Sequence, residues 1–266
     1  MKDFFIDRVA WITGASSGIG EALVYAFTEG GSRVIASSND NPELSRVAEV
    51  CSSMRGSVAV VPFDLADTSG IEELVADVIS REGRIDILLN IGGVSQRALI
   101  KETPLLLDRK IMEINYFGTI ALTKAVLPYM ISHGGGHIAA TSSITGRFGF
   151  PLRSSYSASK QALHGFFETL LLEHRSDNIR VSMLIPGRVM TGISLHALTA
   201  TGSEHGRMDE GQASGITPRR AAEQIIRGLR HNRREILVGG SELLMLKIRK
   251  YMPSLFFRIA GKISTT

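Results

Sequence analysis

The sequence is poor in sulfur and in long apolar runs. One cysteine in 266 residues cannot close an internal disulfide, and it excludes a cysteine-rich metal site. It fits a reducing compartment, so a cytoplasmic location is expected. No run of about 18 uncharged apolar residues occurs, so no membrane-spanning helix is expected. The nearest candidate, 243–261, is broken by four charges and by Pro253. Asp3, Asp7 and Arg8 interrupt the first eleven residues, where no signal-peptide core fits. Internal repeats and low-complexity tracts are lacking. Net charge is small as well, +4 from 30 basic and 26 acidic residues. The excess sits in one place. Lys247, Arg249, Lys250, Arg258 and Lys262 oppose Glu242 in residues 242–266, while the first 241 residues are neutral overall. The charge therefore gives no reason to expect a nucleic-acid partner.

What is present reads as globular: 44% of residues are hydrophobic and 21% charged. The length suits one large domain or two small ones. Seven short apolar runs, at 9–13, 33–37, 58–63, 85–90, 137–142, 180–184 and 235–238, predict strands. Helical spacing fills the intervals 18–29, 43–54, 71–81, 104–132, 155–175 and 218–231. Thr103-Pro104 and Thr217-Pro218 read as helix caps followed by proline in the first turn. Gly134, Gly135 and Gly136 stop the fourth helix. Strands alternating with helices predict an α/β chain, a doubly wound Rossmann fold with about seven parallel strands flanked by helices. The catalytic body is expected to be a single domain over 1–241. Residues 192–216 lack periodicity and hold five glycines, which predicts a functional loop over about 191–216. The basic apolar segment 242–266 stands apart.

The first strand runs into Thr13-Gly14-Ala15-Ser16-Ser17-Gly18-Ile19-Gly20. A turn this tight needs glycine, and the amides at a helix N-terminus bind phosphate oxygens. The spacing resembles that of the short-chain dehydrogenase/reductase family, matching it at every fixed position. Further resemblances follow in order along residues 6–240. Asp64-Leu65 resembles the family's adenine-pocket acid, and Asn90-Ile91-Gly92-Gly93 its Asn-Asn-Ala-Gly, with two departures. Asn115 resembles the Asn of its fourth helix. Ser143, Tyr156 and Lys160 resemble its catalytic Ser and Tyr-x-x-x-Lys. Pro186, Gly187, Val189 and Thr191 fall in its Pro-Gly…Thr segment.

Tyr156 and Lys160, four apart, share a helix face. An ammonium beside a phenol favours the phenolate, which suits a general acid for a carbonyl. Ser143 ends a strand at the carboxyl edge, where open α/β sheets bind ligands. The resemblance implies that Tyr156 donates or accepts the proton and that Ser143 orients the substrate. It also implies that Lys160 holds the nicotinamide ribose and that Asn115 supports a proton relay. The neighbouring Ser142 is the weaker candidate for the Ser143 role.

Ser38 stands where an NAD-selecting carboxylate is usual, and Asn39 where an NADP-selecting Arg often follows. Ser17 takes the place of another basic selector. The missing carboxylate leaves room for a 2′-phosphate, so NADP(H) is expected over NAD(H). Residues 92–100, Gly165-Phe166-Phe167 and Tyr251-Met252-Pro253 resemble the dehydrogenase/reductase member 7 group, itself similar to 11β-hydroxysteroid dehydrogenases. This implies a carbonyl or alcohol substrate that is steroid-, retinoid- or lipid-like. No counterpart of that group's N-terminal anchor is expected here. Val94, Ser95, Phe148, Met190, Leu195 and Leu198 are candidate wall residues.

No metal is expected: His133 and His137 flank a glycine turn without a third ligand. His164 reads as a satisfied helix histidine. Arg227, Arg230, Arg233 and Arg234 sit near a helix end, where cations favour the dipole. The apolar faces of 104–132 and 155–175 imply a homodimer or homotetramer. Residues 243–263 read as two short amphipathic helices, which suit either a peripheral membrane contact or closure of the pocket or a dimer interface. The expected activity is NAD(P)-dependent hydride transfer to a ketone or from a secondary alcohol. The alternative is a dinucleotide-sensing module without turnover.

Overall fold

The computed structural model describes residues 4–261. Lys262 and Ile263 of the basic segment, and Asp3 at the start, lie outside the described residues. In chain order the elements are β1 (Val9–Thr13), α1 (Gly18–Gly30), β2 (Arg33–Ser37), α2 (Asn41–Cys51), β3 (Ser57–Val60), α3 (Ile71–Glu82), β4 (Ile87–Asn90) and β5 (Gln96–Arg97). They continue with α4 (Leu105–Met112), α5 (Gly118–Ser132), β6 (Gly136–Thr141), α6 (Ser154–Glu173), β7 (Ile179–Pro186) and β8 (Leu198–Thr199). The chain ends with α7 (Glu210–Ala213), α8 (Pro218–Arg230), β9 (Glu235–Val238), α9 (Leu244–Tyr251) and α10 (Pro253–Ala260).

Seven strands form one parallel sheet in the order β3-β2-β1-β4-β6-β7-β9. A sheet covered on both faces needs strands that are apolar on both sides. In β1, Ala10 and Ile12 join one core with Phe27 and Ile225, while Val9 and Trp11 join the other with Leu122 and Phe167. The chain winds outward from β1 through β2 to β3, then returns to place β4 on the other side of β1. The connections after β1 and β4 therefore diverge, which opens a cleft at their carboxyl ends.

Three local features differ from the sequence pattern. The long helix predicted at 104–132 is interrupted by a π-turn at Glu113–Phe117 that buries Asn115. Such turns place a backbone irregularity where a side chain is needed. The fourth helix starts one residue later than expected. Pro104 is its cap residue, while the Thr103 hydroxyl donates to the Leu99 carbonyl at 2.8 Å. A second, two-stranded sheet pairs β5 with β8 across the cleft mouth, and strands of two residues leave no periodicity to read. Thr217 does cap α8, its Oγ1 accepting from the Arg220 amide at 3.3 Å.

The end of the chain packs onto the body. Phe256 is fully buried against Phe148, with ring centroids 4.7 Å apart, and Ile144, Phe150, Met245 and Ile248 surround the pair. Among the described residues no helix is long and apolar enough to cross a membrane.

Candidate active site

A cavity of about 990 Å³ runs along the carboxyl edge of the sheet. One end is formed by the turn between β1 and α1. Thr13, Gly14, Ser16, Ser17, Gly18, Ile19 and Gly20 all line it. Gly14 and Gly18 have φ of +62° and +57°, the left-handed region that favours glycine. A Cβ on Gly14 would stand 2.7 Å from the Gly92 Cα, and one on Gly18 2.9 Å from the Thr191 Cγ2. Ser17 leaves the N-terminus of α1 without a side-chain cap. The first amides of that helix have no intrahelical partner, so they can hold an anion in the cavity. The Thr13 hydroxyl accepts from the amides of Ile91 and Gly92 at 3.0 and 3.1 Å, fixing the β4 loop against the turn.

The cavity continues past Ser38, Asn39, Asp64, Leu65 and Gly92, and on its far side past Pro186, Gly187, Val189 and Thr191. Ser38 and Ser16 share a hydroxyl–hydroxyl bond of 2.9 Å. The Asp40 carboxylate caps α2, accepting from the Glu43 amide at 3.2 Å. An uncapped helix N-terminus, a bare glycine floor and a long groove of this kind fit a dinucleotide.

Ser143 and Tyr156 line the middle of the cavity. The Ser143 Oγ accepts from the Thr145 amide and hydroxyl at 3.2 and 3.1 Å. Ser142 is committed elsewhere: it donates to the Lys160 carbonyl at 3.0 Å and bonds His164 Nε2 at 2.8 Å. That leaves Ser143 as the serine beside the phenol. Burial pushes the Tyr156 phenol above its ordinary value, and the Ser143 hydroxyl, Arg153 and Arg97 pull it back. Here the structure departs from the spacing argument. The Lys160 ammonium donates to the Thr141 carbonyl at 2.8 Å and lies 5.9 Å from the Tyr156 ring centroid. Burial lowers Lys160 itself to about 8.

Three of the residues expected to serve catalysis or the cofactor do not form the cavity wall. Lys160 lies behind Tyr156. Asn90 is buried, its Nδ2 donating to Thr123 Oγ1 at 3.1 Å. Asn115 holds the β4 loop from beneath. Its Oδ1 accepts from the Val94 amide at 2.8 Å, and its Nδ2 donates to the Val94 carbonyl and Ser159 Oγ at 2.9 and 3.0 Å. Of the apolar candidates, Val94, Phe148 and Leu198 line the cavity along with Ser95, while Met190 and Leu195 do not.

Sequence reasoning missed several wall residues: Arg97, Arg153, Asp209, Glu242 and Met245. The only signal for the first three was charge inside otherwise apolar or glycine-rich stretches. His164 and His137 are buried and neutral. Burial lowers each to about 4, with Arg147 and Arg180 adding to the effect. Among the described residues no group of three metal-type ligands converges.

Comparison with known proteins agrees with this geometry. The short chain dehydrogenase family matches residues 8–200. A Drosophila melanogaster protein named dehydrogenase/reductase SDR family protein 7-like is 41% identical over 260 residues, covering 96% of this chain and 80% of that one. The Danio rerio dehydrogenase/reductase SDR family member 7B is 36% identical over 260 residues, covering 95% and 84%. A short chain dehydrogenase/reductase from Burkholderia phymatum, solved in complex with NAD, shares the fold at a TM-score of 0.83, with 23% identity and coverage of 94% and 95%. This chain thus belongs to the short-chain dehydrogenase family of nicotinamide-dependent oxidoreductases.

Proposed function

We propose that this enzyme transfers hydride between NADP(H) and a lipophilic ketone or secondary alcohol, with reduction favoured. The observation that carries the reading is the pairing of Ser143 with Tyr156 on the wall of a groove whose other end is the uncapped N-terminus of α1. When bound, the nicotinamide supplies or accepts the hydride. In reduction the Ser143 hydroxyl holds the carbonyl oxygen and Tyr156 donates its proton to it. Lys160, on the same helix face, 5.9 Å from the Tyr156 ring centroid and lowered to about 8, would return the proton to the phenol. Asn115 keeps the loop over Lys160 in place by clamping Val94. Phe148, Phe150, Ile144, Val94, Leu198 and Met245 on the wall support an apolar substrate. The absence of a carboxylate at Ser38, with the Asp40 carboxylate turned to its own helix, supports NADP(H).

The test combines binding with turnover. NADPH should bind more tightly than NADH in a fluorescence titration. Tyr156→Phe should keep that binding while lowering kcat on a reducible ketone by roughly 10²- to 10⁴-fold, the range for a general acid. Unchanged turnover in this variant would remove Tyr156 from the mechanism. Tight binding with no turnover across a ketone panel would instead favour the dinucleotide-sensing module.

Exposed Leu105 and Leu106 on α4 and Leu172 on α6 support a homodimer or homotetramer through these helices, which sedimentation reads directly. A peripheral membrane contact is supported by exposed Leu244, Tyr251, Met252 and Phe257 beside Arg249 and Lys250. Flotation on anionic vesicles should be lost in a Tyr251→Ser/Phe257→Ser variant. Equal flotation of both proteins would count against the contact.

A further inference from the structure

Three charged side chains from distant parts of the sequence meet beside the phenol. Arg97 ends β5, Arg153 stands just ahead of α6, and Asp209 just ahead of α7. Arg97 Nε donates to Asp209 Oδ1 at 3.3 Å and its Nη2 to Oδ2 at 2.5 Å. Arg153 Nη2 donates to the same Oδ2 at 2.8 Å. The side chains of Arg97, Asp209 and Arg153 are only 4%, 10% and 12% exposed. All three line the cavity that holds Tyr156. Two guanidinium groups share one carboxylate, so the cluster carries one uncompensated positive charge away from water. Such an arrangement is costly to break, unlike a surface ion pair.

Each member also belongs to a different part of the site. Asp209 is carried by the segment that crosses the cleft mouth. That segment is stitched to β5 by the β5–β8 pairing and by the Leu198 amide, which donates to the Ser95 carbonyl at 2.9 Å. Arg97 anchors itself through Nη1 to Ser95 Oγ at 2.8 Å and the Gln96 carbonyl at 2.6 Å. Gln96 Oε1 in turn accepts from the amides of Ser155 and Tyr156 at 2.9 and 3.3 Å, in the first turn of α6. Arg153 is three residues before Tyr156. The mouth segment, β5 and the tyrosine helix thus converge on a single carboxylate.

We propose that Arg97, Asp209 and Arg153 form a charge lock that couples seating of residues 192–213 over the cleft to proton transfer at Tyr156, the two arginines acting as positioning residues. The kinetic arm rests on the role given to Tyr156 above; the titration and proteolysis arms do not. Both arginines favour the phenolate through their charge, and Asp209 offsets them. When the segment is seated, the carboxylate sits between the guanidinium groups. When it lifts, the carboxylate leaves with it and the phenol faces two unbalanced cations. The other charged or titratable groups on the cavity walls are Lys110 from α4, Arg188 after β7, His196 and Glu204 from the mouth segment, Glu242 ahead of α9, and, toward the glycine turn, Asp40, Glu43 of α2 and Asp64. Lys160 approaches from α6 itself. All of these are kept constant in the test.

The test reads the sign of two opposed substitutions. Tyr156 ionisation is followed as the phenolate absorbance difference between each protein and its Tyr156→Phe counterpart. The pH dependence of kcat for ketone reduction is followed in parallel. Asp209→Asn should move the phenol titration to lower pH, and Arg153→Met should move it to higher pH, each by about one pH unit. Arg153→Lys should return it toward the parent. Trypsin cleavage after the exposed Arg207 should be at least about tenfold faster in Asp209→Asn and Arg153→Met. Shifts in the same direction, or none, would overturn the coupling, since a merely structural contact has no reason to oppose them in sign. Unchanged cleavage at Arg207 would overturn the lock. If Asp209→Asn does not fold, the Arg153→Met and Arg153→Lys pair decides alone through both readouts. Absence of turnover in the parent would defeat the functional reading above and leave the titration and cleavage results to judge the lock.

Discussion

The two ends of the cavity are built on different principles. At the end proposed for the cofactor, the turn from Thr13 to Gly20 joins consecutive elements, and its partners are the Gly92 backbone and the Thr191 side chain. At the end proposed for the substrate, the wall includes β5, the mouth segment and α9. Its decisive contacts join residues 112 and 56 positions apart. The first end depends on conformations that only certain residue types adopt, so it announces itself in a short motif. The second depends on which surfaces meet, and no single stretch encodes that. A rigid, locally specified cradle leaves the substrate side free to vary without disturbing cofactor chemistry.

The largest effect that would break this comparison is at Phe256. Its ring is fully buried on Phe148, and α9 with the turn ahead of it brings Met245 and Glu242 to the cavity wall. Glu242 Oε1 accepts from the Arg188 amide at 2.9 Å, so the same stretch also fixes the backbone that leads into the mouth segment. Phe256→Ala removes a buried aromatic and should cost about 3–5 kcal/mol if the site cannot collapse. We expect a lowered thermal midpoint and a raised KM for the ketone, with NADPH affinity within about twofold of the parent. If NADPH affinity falls as far as ketone affinity, the two ends are one cooperative unit and the contrast between them fails.

The same contrast explains what the sequence disclosed. The parallel sheet and the order of strands and helices are legible because each rests on spacing within one element or its cap, whereas Ser143, Tyr156 and Lys160 stand out through their resemblance to a family motif. Lys160 marks the limit of spacing. Four residues put it on the face of Tyr156, but the Thr141 carbonyl at the end of β6 claims its ammonium, and only the packed sheet supplies that competitor. Asn115 is legible as a residue and not as a clamp, because its contacts depend on a π-turn inside a continuous helical pattern. Arg97, Arg153 and Asp209 are invisible to periodicity. Charges in loops normally read as solvated, and their burial follows from three separate elements arriving at one point.

Acid gives the smaller effect and sharpens the comparison from below. His164 lies under the substrate end, bonded to Ser142, which also holds the Lys160 carbonyl. His137 lies at the opposite edge of the sheet, on Ser182 at 2.8 Å. Burial lowers each to about 4 from 6.5. The unfolded chain therefore binds more protons than the folded one between those values, so stability rises with pH across that window. The contribution is complete above pH 6.5 and is lost as pH falls toward 4, about 3 kcal/mol for His137. His137→Gln should flatten the dependence of unfolding free energy on pH between 6.5 and 4 and leave the acid limb of kcat unchanged. His164→Gln should flatten the same dependence and also move that acid limb, because protonation at its unpartnered Nδ1 places a charge on the Tyr156 helix itself, one turn after Lys160. Denaturant melts at pH 7, 5.5 and 4.5, run beside kcat, separate the two. Parent-like slopes in both variants would show that neither imidazole is held neutral by the fold. An equal kcat response from His137→Gln would show that acid acts on the whole sheet, with the substrate end no more sensitive than the rest.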